Sequence, residues 1–318
     1  MKAYIIRRIL AVIPVMMTVG ILVFVLLRLI PGDVGRSIQG IEASRADVQA
    51  MQDALGLNEP VALQFVKWIG KLARGDLGVS YVSNEPVIDQ VASRIGPTLS
   101  ITMFTEVVII LVAIPLGVLA AWKANTIIDR VVMVLAAVGF SLPVFWVGFV
   151  LIFIFGTWAF GRSEPLLPIF GYEPMSEGFI EYIRHLILPV ITLCLGAIAV
   201  LTRLTRASTI GVLSEDYVRT ARAKGLSDGK ILVVHVFRNA ALPIVTVIGL
   251  QFASLLTGVV ITESVFAIPG MGRLVVNAMM VRDYPLIEGT VLMVASAYVL
   301  INLAVDIFYA YLDPRIRY

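Results

Sequence analysis

The chain has 318 residues and a formal net charge of +3; 59% of its residues are hydrophobic and only 15% charged, and its mean hydropathy is +0.93. Soluble domains carry about 25% charged residues, so the composition excludes a water-soluble enzyme and points to a multi-span membrane protein; the small net charge gives no reason to expect a nucleic-acid partner. The single cysteine, Cys194, sits in an apolar run, which excludes an intrachain disulfide and suits a packing residue.

In chain order, "MKAYIIRRILAVIPVMM" begins like a secretory leader, but the apolar run continues to Ile30 with no small-residue cleavage site. It reads as a retained first span. Six transmembrane helices are predicted: Ile9–Ile30, Leu99–Trp122, Val131–Phe160, Leu186–Leu204, Ala241–Thr262 and Ile287–Tyr311. The third contains "SLPVF" (Ser141 to Phe145) and is expected to be one tilted helix kinked at Pro143.

The fold class is therefore all-α, a polytopic bundle whose core is expected over 99–318, after a first helix (1–30) and an external segment (31–98). In that segment Ser44 is a candidate N-cap, with Asp47 three residues on. Further along, Pro60 opens a helix expected to gather Ala62, Phe65, Val66, Ile69, Leu72 and Ala73 on one face. The segment either packs over its own spans or offers a platform to an external partner.

Orientation follows from charge. Lys2, Arg7, Arg8, Lys123, Arg130, Arg203, Arg206, Arg219, Arg222, Lys224, Lys230, Arg238, Arg315 and Arg317 all fall on one side of a six-span chain. Cytoplasmic connections collect Lys and Arg, so both termini and the loop of about 205–240 are expected in the cytoplasm.

That loop holds "EDYVRTARAKGLSDGK" (Glu215 to Lys230) between two apolar runs. Ser214 is expected to cap a helix with Glu215 and Asp216 at its positive end and Arg222 and Lys224 at its negative end. Gly225 follows as a residue able to take positive φ, with Leu226 as its apolar companion. Ser227 starts a second helix. Small Ala221 and Ala223 would allow another surface to come close. The hairpin either fits a groove in a partner or rests on anionic headgroups.

No G-x-x-x-x-G-K-[ST] occurs, and the two histidines, His185 and His235, are expected on opposite sides of the membrane, so neither a nucleotide loop nor a metal cluster is expected, and there are no catalytic residues to nominate. Ionisable groups within spans are costly and mark function by default. Glu106 and Asp306 are such groups; each either lines a passage or pairs with a polar group on another helix. Thr102, Thr105, Gln251, Ser254 and Thr257 either face water or bond between helices. A proton-driven secondary transporter and a passage-free scaffold are the rival classes; no Gly/Pro-broken inverted repeat favours the first.

"EDYVRTARAKGL" with "RNAALP" (Arg238 to Pro243) resembles the ATPase-docking loop of ABC importer permeases, and more closely the dipeptide/oligopeptide/nickel permease family. The likeness extends through "LGLNEPVALQFVKWIGKLARGDLGVSY", "IPLGVLAAW", "SLPVFWVG", "HLILPVITL", "ESVFAIPGMGRL", "RDYPLIEG" and "DPRIRY", in this order. Two departures stand out: Arg219-Thr220-Ala221 replaces the general Glu-Ala-Ala signature, and Val34 replaces a proline often found after the first span.

The resemblance implies a subunit of the bacterial inner membrane that takes up short peptides, or nickel chelates or glutathione, by alternating access. It implies four kinds of partner: a homologous second permease, two ATP-binding cassette ATPases holding ATP and Mg, a periplasmic or lipid-anchored binding protein, and lipid. No cofactor is implied in this chain. Glu215, Asp216, Tyr217, Arg219, Ala221, Arg222, Ala223, Lys224, Gly225 and Leu226 would seat in the ATPase. Thr102, Glu106, Gln251, Ser254 and Asp306 are the candidates for the passage.

Overall fold

The structure, a computed structural model, describes residues 2–29, 45–156 and 164–312. These are almost wholly helical: α1 (Lys2–Leu29), α2 (Arg45–Ala54), α3 (Val61–Leu72), α4 (Val87–Trp122), α5 (Ile127–Ser141), α6 (Val144–Phe155), α7 (Phe179–Leu213), α8 (Asp216–Ala223), α9 (Arg238–Val265), α10 (Met271–Val281) and α11 (Tyr284–Leu312). Five helices are long and apolar enough to cross a membrane, and α5 with α6 makes a sixth if that bent pair is one span. Ser44, Val34 and the "DPRIRY" terminus lie outside the described residues.

The third span is broken, not kinked. Leu142 and Pro143 are extended, with ψ of 125° and 136°, and the helices on either side meet at 99°. Proline removes a donor and pushes the residue before it out of the helical region; here both effects act and the helix stops. The other spans all exceed their predicted lengths, α4 and α7 by the most. α4 starts at Val87, not Leu99, and α7 runs from Phe179 to Leu213, carrying Arg206 inside a helix instead of a loop. At about 1.5 Å per residue, the 35 residues of α7 extend well past a hydrocarbon layer of about 30 Å.

Packing divides the chain into two compact units: residues 2–96 with 269–300, and residues 97–268 with 301 onward. In the larger unit the core is Ile101 and Ile109 of α4, Leu186, Leu188 and Leu201 of α7, Ile244 and Val259 of α9, then Phe266 and Ile268. Close approach of α4 to α7 depends on Gly117. A Cβ there would lie 2.5 Å from the Thr205 Cβ and 2.8 Å from the Thr202 carbonyl oxygen. With lipid as apolar as leucine, such small-residue contacts hold spans together. Below Gly117, Asp129 at the start of α5 takes a bidentate pair from Arg206 of α7, at 2.6 and 2.7 Å.

In the smaller unit the buried Phe24 of α1 packs on Phe65 and Trp68 of α3, with ring centroids 5.1 and 5.3 Å away. The Arg28 guanidinium lies 3.2 Å over the Phe24 ring and donates to Gln64 Oε1 and Glu288 Oε1. The inward face of α3 overlaps the expected apolar face only in part. Phe65 is on it, but with Gln64 and Trp68; Ala62, Val66 and Ile69 are exposed. Pro60 is the residue before the helix, not its first. Buried Asp283 accepts from the Ser80 hydroxyl, the Tyr81 amide and, as the cap of α11, the Leu286 amide.

Candidate coupling hairpin and membrane cavity

α7 leaves its span and turns sharply into α8. Ser214 belongs to the end of α7. Its φ and ψ, −85° and −9°, are helical, its amide bonds back to Ile210 and Gly211, and its hydroxyl donates to the Gly211 carbonyl at 2.6 Å. It is therefore not the N-cap of α8, as the sequence suggested, because its hydroxyl is already used. Glu215, extended at ψ 147°, takes that position without a side-chain cap bond. Its carboxylate and that of Asp216 still stand at the positive end of the helix.

The other end of α8 closes on Gly225 at φ +78°. The Leu226 amide donates to the Ala221 carbonyl and the Gly225 amide to the Arg222 carbonyl. These two bonds define the Schellman ending, which normally requires glycine at the left-handed residue. Leu226 folds back over a small core of Val218, Ala221, Ile231 and Val236. Residues Ile231–Phe237 form a π-helical stretch that joins the hairpin to α9, the kind of irregular turn often found at functional sites. The Asn239 amide of α9 donates to the Tyr217 hydroxyl of α8 at 3.0 Å.

This geometry sorts the ten hairpin residues. Val218 and Ala221 face inward; Asp216, Tyr217, Arg219, Arg222, Ala223 and Lys224 face out. Ala221 therefore serves the hairpin's own packing, and of the two small residues only Ala223 is available to another surface. Arg219 and Asp216 form an exposed pair at 3.4 Å on the outer face. Pairs of that kind contribute little to stability, so both charges remain available for a partner.

The passage candidates are scattered. Thr102 is fully buried and donates to the Thr98 carbonyl of its own helix. Glu106 is 6% exposed, and neither carboxylate oxygen has a hydrogen-bond partner among the described residues. A pairing partner for it on another helix of this chain is thus absent from the described residues. The Asp306 and His235 side chains lie outside the described residues; His185 bonds the Glu181 carbonyl of its own helix. Gln251 and Ser254 of α9 share a cavity of about 410 Å³ with α7 and with both sides of the α5–α6 break. Sequence reasoning missed the Asp129–Arg206 pair, since both residues were read as parts of inward-facing connections or left out. The available signal was an aspartate just inside an apolar run, matched by a basic residue at the same membrane level.

A chain whose described residues are almost wholly helical, with at least five candidate spans, a mainly apolar cavity among them and a helical hairpin projecting between two spans, has the build of a membrane transport component. Residues 113–318 match the family described as binding-protein-dependent transport system inner membrane component, and residues 1–102 match its N-terminal counterpart. The chain belongs to this family of inner-membrane permease components of ABC importers.

Among curated relatives, it is 44% identical to a probable peptide ABC transporter permease protein of Sinorhizobium fredii, over all of both chains. It is 39% identical to a dipeptide transport system permease protein of Alkalihalophilus pseudofirmus and 41% identical to a glutathione transport system permease protein of Escherichia coli (strain K12), again over the whole of each. Among solved structures, a chain of the MetNI methionine ABC transporter in an inward-facing conformation superposes with a TM-score of 0.56 at 18% identity, covering 71% of this chain and 97% of that one. At that identity the likeness concerns the fold alone.

Proposed function

We propose that this permease, paired with a second permease, forms the membrane passage for short peptides, and that α8 is the element through which partner ATPases drive it. ATP and Mg reside on those partners, and a binding protein delivers cargo from outside. The observation that carries the reading is the hairpin itself: a short helix with an outward polar face, fixed at one end to α7 by the Ser214 turn and at the other to α9 through Gly225 and the Tyr217–Asn239 bond. A push on α8 is delivered to two spans at once. The Asp129–Arg206 pair passes it from α7 to α5.

Orientation is part of the proposal. The basic residues crowding α8 and its flanks support a cytoplasmic hairpin and, with it, cytoplasmic termini. The relatives named for peptide and dipeptide transport support a peptide cargo. The relative named for glutathione transport supports a second reading, in which the cargo is that modified tripeptide; the same passage serves both.

The test places single cysteines at Arg219 or Ala223 in the assembled importer. Crosslinking to an ATPase subunit that changes on adding nucleotide is expected. Labelling of these cysteines from outside the cell, or crosslinks to no ATPase, would refute the reading.

A further inference from the structure

α3 meets α1 at one level. Gln64, Phe65 and Trp68 converge on Phe24 and on the Arg28 guanidinium folded back over its ring. A Cβ at Gly20 would lie 3.3 Å from the Trp68 ring. These α1 residues belong to an apolar span of 23 residues, Arg7–Leu29. At 1.5 Å per residue it reaches about 34 Å, enough to cross a hydrocarbon layer of about 30 Å with little to spare. Phe24 stands five residues before the end of that span, so α3 meets α1 about 7 Å inside the membrane boundary. Helices that lie in the interface bury their apolar face about 5–10 Å deep.

The rest of the α3 surface is sorted by polarity. Ala62, Val66 and Ile69 follow one another at i, i+4 and i+7, a single stripe, and all three are exposed, Val66 by 66%. Lys67 and Lys71 stand about 150° around the helix from that stripe. Lys67 pairs with Glu59 at 2.5 Å, and Lys71 is exposed. Both border a hollow of about 290 Å³ that also carries Asp53 and Asp76. α3 therefore has three sides: one packed on α1, one bare and apolar, and one charged with both signs.

Depth and charge together decide what covers the bare side. Charged groups avoid hydrocarbon, so the lysine flank turns to the headgroups and the stripe, on the other side, turns to the acyl chains. A water-soluble partner approaching over the headgroups stops short of that level. Lipid is already there: Leu22, Val25 and Leu26 of α1, within one turn of Phe24, are exposed apolar residues of a span, and the stripe extends their lipid-facing surface. A phospholipid also matches the charged flank, since a zwitterionic headgroup brings a phosphate for the lysines and an ammonium for the aspartates.

We propose that α3 is an interfacial helix whose stripe is seated among the acyl chains of the outer leaflet, with its lysine flank against zwitterionic phospholipid headgroups. α3 is thus a lipid-bound element that holds the external segment down on the bilayer, and not a docking platform for a protein. The side of the membrane rests on the orientation in the proposed function above; the seat in lipid does not.

The experiment uses the complete importer in nanodiscs of phosphatidylethanolamine and phosphatidylglycerol. Spin labels are placed one at a time by Val66→Cys, Ile69→Cys and Lys71→Cys in a Cys194→Ala background, since Cys194 is the single native cysteine. Dissolved oxygen collects in lipid and a nickel chelate stays in water. For a helix that straddles the boundary, the ratio of oxygen to nickel collisions is expected to be roughly fivefold or more higher at Val66 and Ile69 than at Lys71. Equal ratios would overturn the proposal. So would labels at Val66 and Ile69 that are closed to both reagents, the mark of a protein covering the stripe.

A second measurement needs no variant. A phosphatidylethanolamine carrying a diazirine near the carbonyl end of one acyl chain is photolysed in nanodiscs that hold the unaltered importer. It is expected to modify the α3 peptide containing Val66 and Ile69 as well as the α1 peptide containing Leu22 and Leu26. Modification of α1 alone would overturn the proposal even if the labelled variants failed to assemble. The side is read separately, in spheroplasts, where Lys71→Cys should react with a membrane-impermeant maleimide. Protection there, with collision ratios as expected, overturns the orientation and moves α3 to the inner leaflet; a reactive Lys71→Cys with equal collision ratios overturns the seat in lipid and leaves the orientation standing.

Discussion

Gly225 is the residue on which the hairpin's shape turns, and its replacement separates shape from packing. At φ +78° an L-residue is strained, while a Cβ at this position meets nothing within 4 Å. The cost of substitution is therefore conformational alone. Placing an ordinary residue in the left-handed region costs about 1–2 kcal/mol, which lowers the population of the closed turn roughly 5- to 30-fold. Asparagine tolerates the region, and β-branched valine suffers most.

The buried cluster of Val218, Ala221, Ile231 and Val236 is untouched by either change, so the protein should still insert and bind its partners. In proteoliposomes with those partners, Gly225→Val is expected to keep ATP hydrolysis while losing about tenfold in cargo moved per ATP. Gly225→Asn should stay within about twofold of the parent. Normal coupling in Gly225→Val, or equal failure of the valine and asparagine variants, would show that the Schellman turn does not transmit the stroke.

Three further outcomes test the fold around the hairpin and cavity. Gly117→Ala forces a Cβ against the Thr202 backbone oxygen, which cannot yield as a flexible side chain would; a loss of about 1–3 kcal/mol should appear as a lower melting temperature in detergent. Asp129→Asn leaves Arg206 without its bidentate partner. Since the Arg206 side chain is 27% exposed, the cost should fall between the ~1 kcal/mol of a surface pair and the ~3–5 of a buried one, and the exchanged pair Asp129→Arg with Arg206→Asp should recover part of it and part of the coupling. Burial, then the Glu288 charge, push the Tyr81 phenol up to about 12, above the ~10 of an unfolded chain. The folded state keeps this proton longer, so the contribution is whole below pH ~10 and is lost as pH rises through the folded value. Tyrosinate absorbance of the parent minus that of Tyr81→Phe should rise late, and a difference curve centred near pH 10 would contradict the burial.

What the sequence reveals depends on how far a requirement reaches along the chain. A span needs only about 20 apolar residues in a row, and all six predicted spans correspond to helices or a helix pair. The ending of α8 needs only Gly225 and Leu226 after a short helix, so it too is legible locally. Ser214 fails as a cap because α7 continues nine residues beyond its predicted end and draws the hydroxyl into its own last turn. Apolar periodicity groups Val66 and Ile69 with Phe65 on α3 without saying which face packs inward. The partners that decide it, Phe24 and Arg28 of α1, select Gln64 and Trp68 instead.

The membrane site shows the same limit most clearly. Gln251 and Ser254 stand out in any reading of α9 as polar residues in an apolar run, and nothing near them in sequence says whether they bond to a neighbouring helix or face open space. Half of the answer is a bond: the Gln251 nitrogen is held by Ala197. The other half is set by Leu142 and Pro143 on a different helix. Leu142 and Val144, on either side of that proline, form part of the wall of the cavity that Gln251 and Ser254 also line. A smooth kink at Pro143 would have carried helix past this wall, so the surroundings of two residues on α9 are decided by the geometry of a proline far from them in sequence.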